Sequence, residues 1–331
     1  MADKRKGYVV GVDLGGTNLF AAVVDDSAQG EVLGETKRKT KAELGAMAVT
    51  ERIITAIDKA LKKAGLSRAD IAGVGVGVPG PTHPQTGIVV RCPNMGESWD
   101  QFPLARHLSE QLDLPVTIDN DVNVGAIGEH TYGAGRGTQD MVALFVGTGL
   151  GGGLILNGRL HSGFRDSAGE IGHMVILADG PRCGCGGRGH AEALASRTAI
   201  ERDIRAAIAS GRESIVSRLL EESGRTIISA GIIGAAYDAG DQVTVEVVSR
   251  AQYYLGLLIA SCVNLLDPEA VVVGGGVLER MGDAYLQPVR GIARQQYVNA
   301  ENADRVRIVA ASLGDYSGVM GAAVLARQRL G

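Results

Sequence analysis

Residues 167–192 read SAGEIGHMVILADGPRCGCGGRGHAE and gather Glu170, His173, Cys183, Cys185, His190 and Glu192 into one turn-rich stretch. Cys183 and Cys185 stand among glycines, so no neighbouring Cβ keeps their thiolates from converging. With the imidazoles of His173 and His190 they complete a tetrahedral zinc set, with no position left open for water. A closed site of that kind is structural. It would pin the loop and so fix where Glu170, His173 and Glu192 point. The alternative, a glycine-rich turn with two reduced cysteines, leaves the placing of both histidines unexplained. A disulfide between Cys183 and Cys185 is disfavoured, because so close a spacing strains the bridge.

A second chemical cluster is Asp119-Asn120-Asp121-Val122-Asn123, where an apolar strand at residues 116–118 gives way to a helix reaching about Tyr132. Strand C-terminal ends are where open α/β sheets place ligands. Asp121 there could accept the proton of an attacking hydroxyl, with Asn120 positioning the substrate. Aspartate and asparagine are also favoured helix caps, and that is the competing reading. Two glycine turns complete the inventory. In Asp13-Leu14-Gly15-Gly16-Thr17-Asn18, backbone N–H groups and a hydroxyl can face a phosphate, and Asp13 could orient a magnesium-bound water. Gly147-Thr148-Gly149-Leu150-Gly151-Gly152-Gly153 repeats the design after a buried strand at residues 141–146, with strand resuming at Leu154. Two such hairpins far apart in sequence fit a duplicated core, each lobe holding one side of a nucleotide. Neither is a Walker A loop, since no Gly-Lys-Ser/Thr follows.

The elements that must position these groups alternate. Strands are expected at residues 8–13, 19–24, 71–78, 87–91, 270–273 and 306–309. Helices are expected at 43–64 (stopped by Gly65), 102–112, 245–266 and 317–329, the last packing back on the N-terminal lobe. Cys92, Cys262 and Tyr253-Tyr254 read as core. The chain has 331 residues, 45% of them hydrophobic, enough for two domains or one bilobal α/β unit. A net charge of −4 gives no reason to expect nucleic acid or a membrane as partner, and Lys4-Arg5-Lys6 reads as a solvated tail. Four cysteines, two of them in the zinc-like stretch, suit a reducing cytoplasm. No h-region and no apolar run of membrane-spanning length appears, so a cytoplasmic location is expected.

GEIGH followed by CGCGGRGHAE resembles the signature of the ROK family of bacterial sugar kinases and sugar-responsive repressors. That family pattern is Glu-x-Gly-His, then Cys-x-Cys-Gly-x-x-Gly-Cys-x-Glu. Here His190 stands at the third cysteine, an exchange that zinc tolerates. Asn120-Asp121-x-Asn123, ending at Gly128-Glu129, also resembles the family, and the likeness runs from Gly11 to about Ala323. The resemblance implies an α/β, two-lobed, actin-like ATPase fold made of duplicated ribonuclease H-like halves, as in hexokinase, actin and heat-shock chaperones. The lobes would be residues 1–118 plus 316–331, and 119–315.

It also implies ATP-dependent phosphorylation of a hexose at its 6-hydroxyl, with glucose first and N-acetylglucosamine or N-acetylmannosamine as alternatives. Polyphosphate is the alternative donor. Asp121 would be the base, with Gly80, Asn94, Asn120, Asp121, Glu170, His173 and Glu192 on the sugar. ATP would meet Asp13, Gly15, Gly16, Thr17, Asn18, Gly147, Thr148, Gly149, Gly151, Gly274, Gly275 and Gly276, the last three beside the adenosine. Magnesium would spread the phosphate charge, and structural zinc would hold the loop. A homodimer or homotetramer is the usual outcome for such kinases. A repressor of the family would carry a helix-turn-helix before the Asp13 strand, where only seven residues precede Tyr8 here. A non-catalytic nucleotide scaffold would not need Asp121 and the two glutamates.

Overall fold

In the computed structural model, residues 7–25, 27, 29–92 and 94–330 are described, and Lys4-Arg5-Lys6 lies outside them. The chain forms two compact units. The first holds Met1–Gly137, Leu154–Ala168 and Asp315–Gly331, and the second Thr138–Gly153 and Gly169–Gly314.

The strands of the first unit are β1 (Tyr8–Leu14), β2 (Asn18–Val24), β3 (Val32–Lys39), β4 (Ile71–Val78), β5 (Thr82–His83), β6 (Ile88–Val89) and β7 (Val116–Asn120). Its helices are α1 (Ala46–Ala64), α2 (Leu104–Leu112) and α3 (Asp121–Thr131). The main sheet runs β3-β2-β1-β4-β7, antiparallel across β3, β2 and β1 and parallel from β1 to β7. β2 is buried on both faces, because helices cover the sheet twice. One face carries α1, whose Ile53, Ile57 and Leu61 meet Val10, Val12 and Leu14 in the core. The C-terminal helix (Tyr316–Leu330) covers the other, running over Gly11 and Gly75. A side chain at either glycine would lie 1.9 Å from a helix carbonyl, so only hydrogen there lets the helix seat.

The second sheet runs β10-β9-β8-β11-β12, built from β8 (Met141–Val146), β9 (Leu150–Leu156), β10 (Arg159–Leu160), β11 (Ala270–Gly274) and β12 (Arg307–Ala310). Position by position this is the order of the first sheet, so the duplication expected from the two hairpins is visible in the topology. Its helices are α4 (Glu192–Ala195), α5 (Arg197–Ala209), α6 (Val216–Ser223), α7 (Ala230–Asp238), α8 (Gln242–Leu266), α9 (Gly276–Met281) and α10 (Asp283–Gln295); the C-terminal helix is α11. Among the described residues no helix is long and apolar enough to cross a membrane.

Three features depart from the sequence reading. The second glycine turn is shorter than expected, because Leu150 already opens β9 and Gly151, Gly152 and Gly153 lie inside the strand. Glycine at 152 is needed there because Gly169 and Ile171 press onto the strand. β3 was not anticipated, its charged run Glu35-Thr36-Lys37-Arg38-Lys39 masking an edge strand. And α3, assigned by sequence to the second lobe, belongs to the first unit. It packs against α11 through Gly128 and Gly321, where a Cβ would lie 2.2 Å from Ser317 O and 1.6 Å from Val124 O respectively.

Candidate active site and metal centre

In the first unit the parallel register sets Asp13 opposite Gly77, and Gly77 opposite Asp119. The C-terminal ends of β1, β4 and β7 therefore come level, and α3 begins at Asp121. The cap of α3 is Asn120, whose Oδ1 accepts from the N–H groups of Val122 (2.9 Å) and Asn123 (3.3 Å) while its Nδ2 donates to Gly80 O (3.1 Å). Asn120 thus does the capping that sequence alone left open between it and Asp121. Asp121 accepts from the Val122 N–H at 2.9 Å. Burial pushes its carboxyl up to about 7, the charge of Asp13 adding to the effect. Asp13 is itself raised to about 6, first by burial and then by Asp315. A carboxylate with a pKa near neutrality is suited to accept a proton from a hydroxyl.

Beneath these groups lies a support that the sequence did not reveal. Asp119, 1% exposed, pairs with Arg329 of α11 at 2.5 Å and accepts from Asn123 Nδ2 at 2.8 Å. The arginine also donates to Ile118 O at 3.0 Å. Glu129, fully buried, accepts from Ser317 Oγ at 2.7 Å. Charged residues that far apart in sequence carry no local signal of pairing. Cys92, expected as core, is buried and donates to Pro79 O at 2.7 Å. Asn94 is exposed on the turn that follows it.

The first glycine turn is closed by the Gly15 N–H on Asn18 O (2.9 Å) and tied to the end of β3. Thr40 N donates to Thr17 O (2.9 Å), Thr40 Oγ1 to Gly15 O (2.6 Å), and Lys39 Nζ to Asn18 Oδ1 (3.0 Å). A Cβ added at Gly16 would meet nothing within 4 Å, so the fold itself does not demand glycine there. The same is true of Gly147. In both turns the missing side chain leaves room for something outside the protein.

The second unit carries the metal-competent loop. Ligand atoms of His173, Cys183, Cys185 and His190 all lie within 4.8 Å of one another. Cys183 Sγ is 3.7 Å from His173 Nδ1, and Cys185 Sγ 3.2 Å from His190 Nδ1. Tetrahedral zinc with bonds of about 2.3 Å to sulfur and about 2.0–2.1 Å to nitrogen sets S···N near 3.5 Å, so the cluster fits that ion. The loop folds tightly to achieve this: Cys183 N donates to Gly187 O at 2.8 Å, and Gly187 must lack a Cβ, which would lie 2.3 Å from the His190 ring. The free Nε2 of His173 faces Glu170 Oε2 at 3.9 Å. Glu192 has Oε1 3.3 Å from Cys183 Sγ, while its Oε2 accepts from Leu150 N at 3.1 Å. Its closeness to the second glycine turn was not foreseen.

Around that turn Gly147 N donates to Gly149 O (2.9 Å), Arg197 N to Gly147 O (3.0 Å) and Thr198 Oγ1 to Thr148 O (2.6 Å). The triplet Gly274, Gly275 and Gly276 joins β11 to α9. Gly275 has φ +104°, and a Cβ on it would lie 2.3 Å from Val146 O, so this glycine is demanded by the packing of the sheet itself.

The chain is similar over its length to known proteins. A glucokinase of Halalkalibacterium halodurans is 36% identical over 97% of this chain and 96% of its own. The crystal structure of a ROK family glucokinase from Streptomyces griseus in complex with glucose and AMPPNP superposes with a TM-score of 0.82 at 34% identity, covering 97% of this chain and all of that one. A xylose repressor of Caldicellulosiruptor bescii is 30% identical over 96% of this chain and 78% of its own. The family model for the ROK family matches residues 9–329, and the chain belongs to the ROK family.

Proposed function

We propose that the protein is an ATP-dependent hexose kinase that converts glucose to glucose 6-phosphate and ADP. The observation that carries the reading is Asp121 at the mouth of β7, raised to about 7 beside Asp13, in a chain similar over its length to glucokinases. The sugar 6-hydroxyl oxygen bonds to the γ-phosphorus as the bond to the β,γ-bridging oxygen breaks, and ADP leaves. The hydroxyl proton passes to Asp121. Positioning and charge stabilisation supply most of the acceleration in such transfers. The turns at Gly15-Gly16-Thr17-Asn18 and Gly147-Thr148-Gly149 receive the phosphates, through N–H groups other than those of Gly15 and Gly147, which close the turns. Magnesium, when bound, neutralises charge on the phosphate oxygens, and Asp13 is the residue to orient its water.

Asn94, Asn120 and the Gly80 backbone, with Glu170, His173 and Glu192, receive the sugar hydroxyls. His173 presents Nδ1 toward the cysteines, which leaves Nε2 for a hydroxyl. Glu192 Oε2 keeps a spare lone pair beside its Leu150 partner, and Oε1 is released for a hydroxyl once Cys183 gives up its proton to bind the metal. Zinc on His173, Cys183, Cys185 and His190 holds these groups in place, with one ion per chain expected by metal analysis. A cytoplasmic location suits the free cysteines, and light scattering tests the homodimer or homotetramer.

A coupled ADP-release assay over hexoses and donors tests the activity. Glucose should give the highest kcat/KM, mannose or glucosamine less and fructose little, because a site built for hydroxyls leaves a polar group unpaired when one is missing or displaced. N-acetylglucosamine or N-acetylmannosamine outrunning glucose would transfer the assignment to an N-acetylhexosamine kinase. ADP release with none of these sugars would leave a nucleotide- or sugar-binding regulator.

A further inference from the structure

We propose that the segment leaving the metal loop is the clamp of the second glycine turn, so that the metal centre positions the phosphoryl donor as well as the sugar. The inference rests on the kinase reading above and assigns Glu192 and Thr198 as positioning residues. Three hydrogen bonds reach the turn from residues 192–198: Glu192 Oε2 to Leu150 N, Arg197 N to Gly147 O, and Thr198 Oγ1 to Thr148 O. Glu192 also occupies the space of a side chain at position 149, where a Cβ would lie 2.4 Å from its Oε2. With the Gly147 and Thr148 carbonyls so engaged, the N–H groups of Thr148 and Gly149 make no hydrogen bond among the described residues. They are the groups that a phosphate would take.

The link from the metal ligand to the clamp is short and stiff. Ala193 N donates to His190 O (3.0 Å), Ala195 N to Ala191 O (2.8 Å), and Ser196 N to Glu192 O (3.1 Å). Ser196, 1% exposed, then caps α5 by accepting from Ala199 N at 3.1 Å. Residues 190–199 therefore form one hydrogen-bonded piece. Its upstream end is anchored at His190 by backbone pairing with residues 174–175, where Ala191 N donates to Met174 O at 3.0 Å, and a shared ion would add Cys185, Cys183 and His173 to that anchor. Loss of that ion would leave only the backbone part of the anchor and so loosen the turn at the far end of the piece.

Calorimetric titration tests this on wild type, Thr198→Val, Thr198→Ser and zinc-stripped then zinc-restored wild type. A non-hydrolysable ATP analogue and glucose are titrated separately, and metal content is read in parallel. Thr198→Val should keep its zinc and its glucose Kd while the analogue Kd rises about 3- to 10-fold, the worth of one hydrogen bond. Thr198→Ser, which keeps the hydroxyl, should restore it. Stripping zinc should raise the analogue Kd without glucose present, and restoring zinc should reverse the change. An unchanged analogue Kd in Thr198→Val or in stripped protein, with wild type binding normally, overturns the clamp alone. Wild type that binds no analogue overturns the kinase reading and the clamp together.

Discussion

The two glycine turns are one device held in two ways. At residues 15–18 the turn is tied by Thr40 and Lys39, residues at the end of a strand in the same sheet. At residues 147–149 it is tied by residues 192–198, which follow a loop built around four metal-competent side chains. The first needs only the sheet that surrounds it. The second depends on a segment whose order comes from outside its sheet. Their chemical neighbourhoods differ in the same sense: beside the first stand carboxylates raised toward neutrality, and beside the second stand thiols and imidazoles able to hold a metal. A duplicated fold thus repeats one turn with two different means of support.

The sharpest break falls on the carboxylate side. Asp121→Asn should keep glucose affinity and lower kcat about 10²- to 10⁴-fold, the usual contribution of a general base; a mutant with more than about a tenth of wild-type kcat would reduce Asp121 to a structural residue. Next comes pH. With Asp121 at about 7, log kcat/KM should fall with unit slope below that pH and level off above it, and a flat profile between pH 5 and 8 would remove the base from Asp121.

A smaller effect separates the turns. Thr40→Val and Thr198→Val should each weaken binding of the ATP analogue a few-fold, but only the Thr198 effect should shrink once zinc is stripped. Equal loss at both sites after stripping would abolish the distinction between the two anchors. The smallest effect is on stability. The folded pKa of Asp121 lies above its unfolded value, so between about pH 4 and 7 the native state binds more protons, and stability declines as pH rises. Asp121→Asn should therefore melt higher than wild type at pH 8, by of order a few degrees, with the gain vanishing toward pH 4. A mutant less stable than wild type at pH 8 would show that the carboxylate's hydrogen bond outweighs its desolvation.

Much of the site was legible because its signals are local. Strand, glycine turn, strand is written in consecutive residues at 8–24, and the four metal-competent side chains fall within 173–190. The strand-to-helix junction at Asp119 to Asn123 was legible too, although sequence could not say which residue capped the helix. What escaped was long-range or ambiguous by composition. The Asp119–Arg329 pair joins residues 210 apart in sequence. β3 hides under a charged run, and Gly151 reads as turn until the packing of Gly169 and Ile171 against the neighbouring Gly152 makes it strand.

By itself the sequence determined the residue types, the hairpin pattern, its repetition and the gathering of four metal-competent side chains, because periodicity and glycine conformational freedom act over a few residues. Only the tertiary structure decided that Asn120 rather than Asp121 caps α3, that burial beside Asp13 lifts Asp121 toward neutrality, and that Glu192 reaches the second glycine turn. Desolvation, charge coupling and anchoring depend on which groups meet across the folded chain, and that is set by packing rather than by neighbours in sequence.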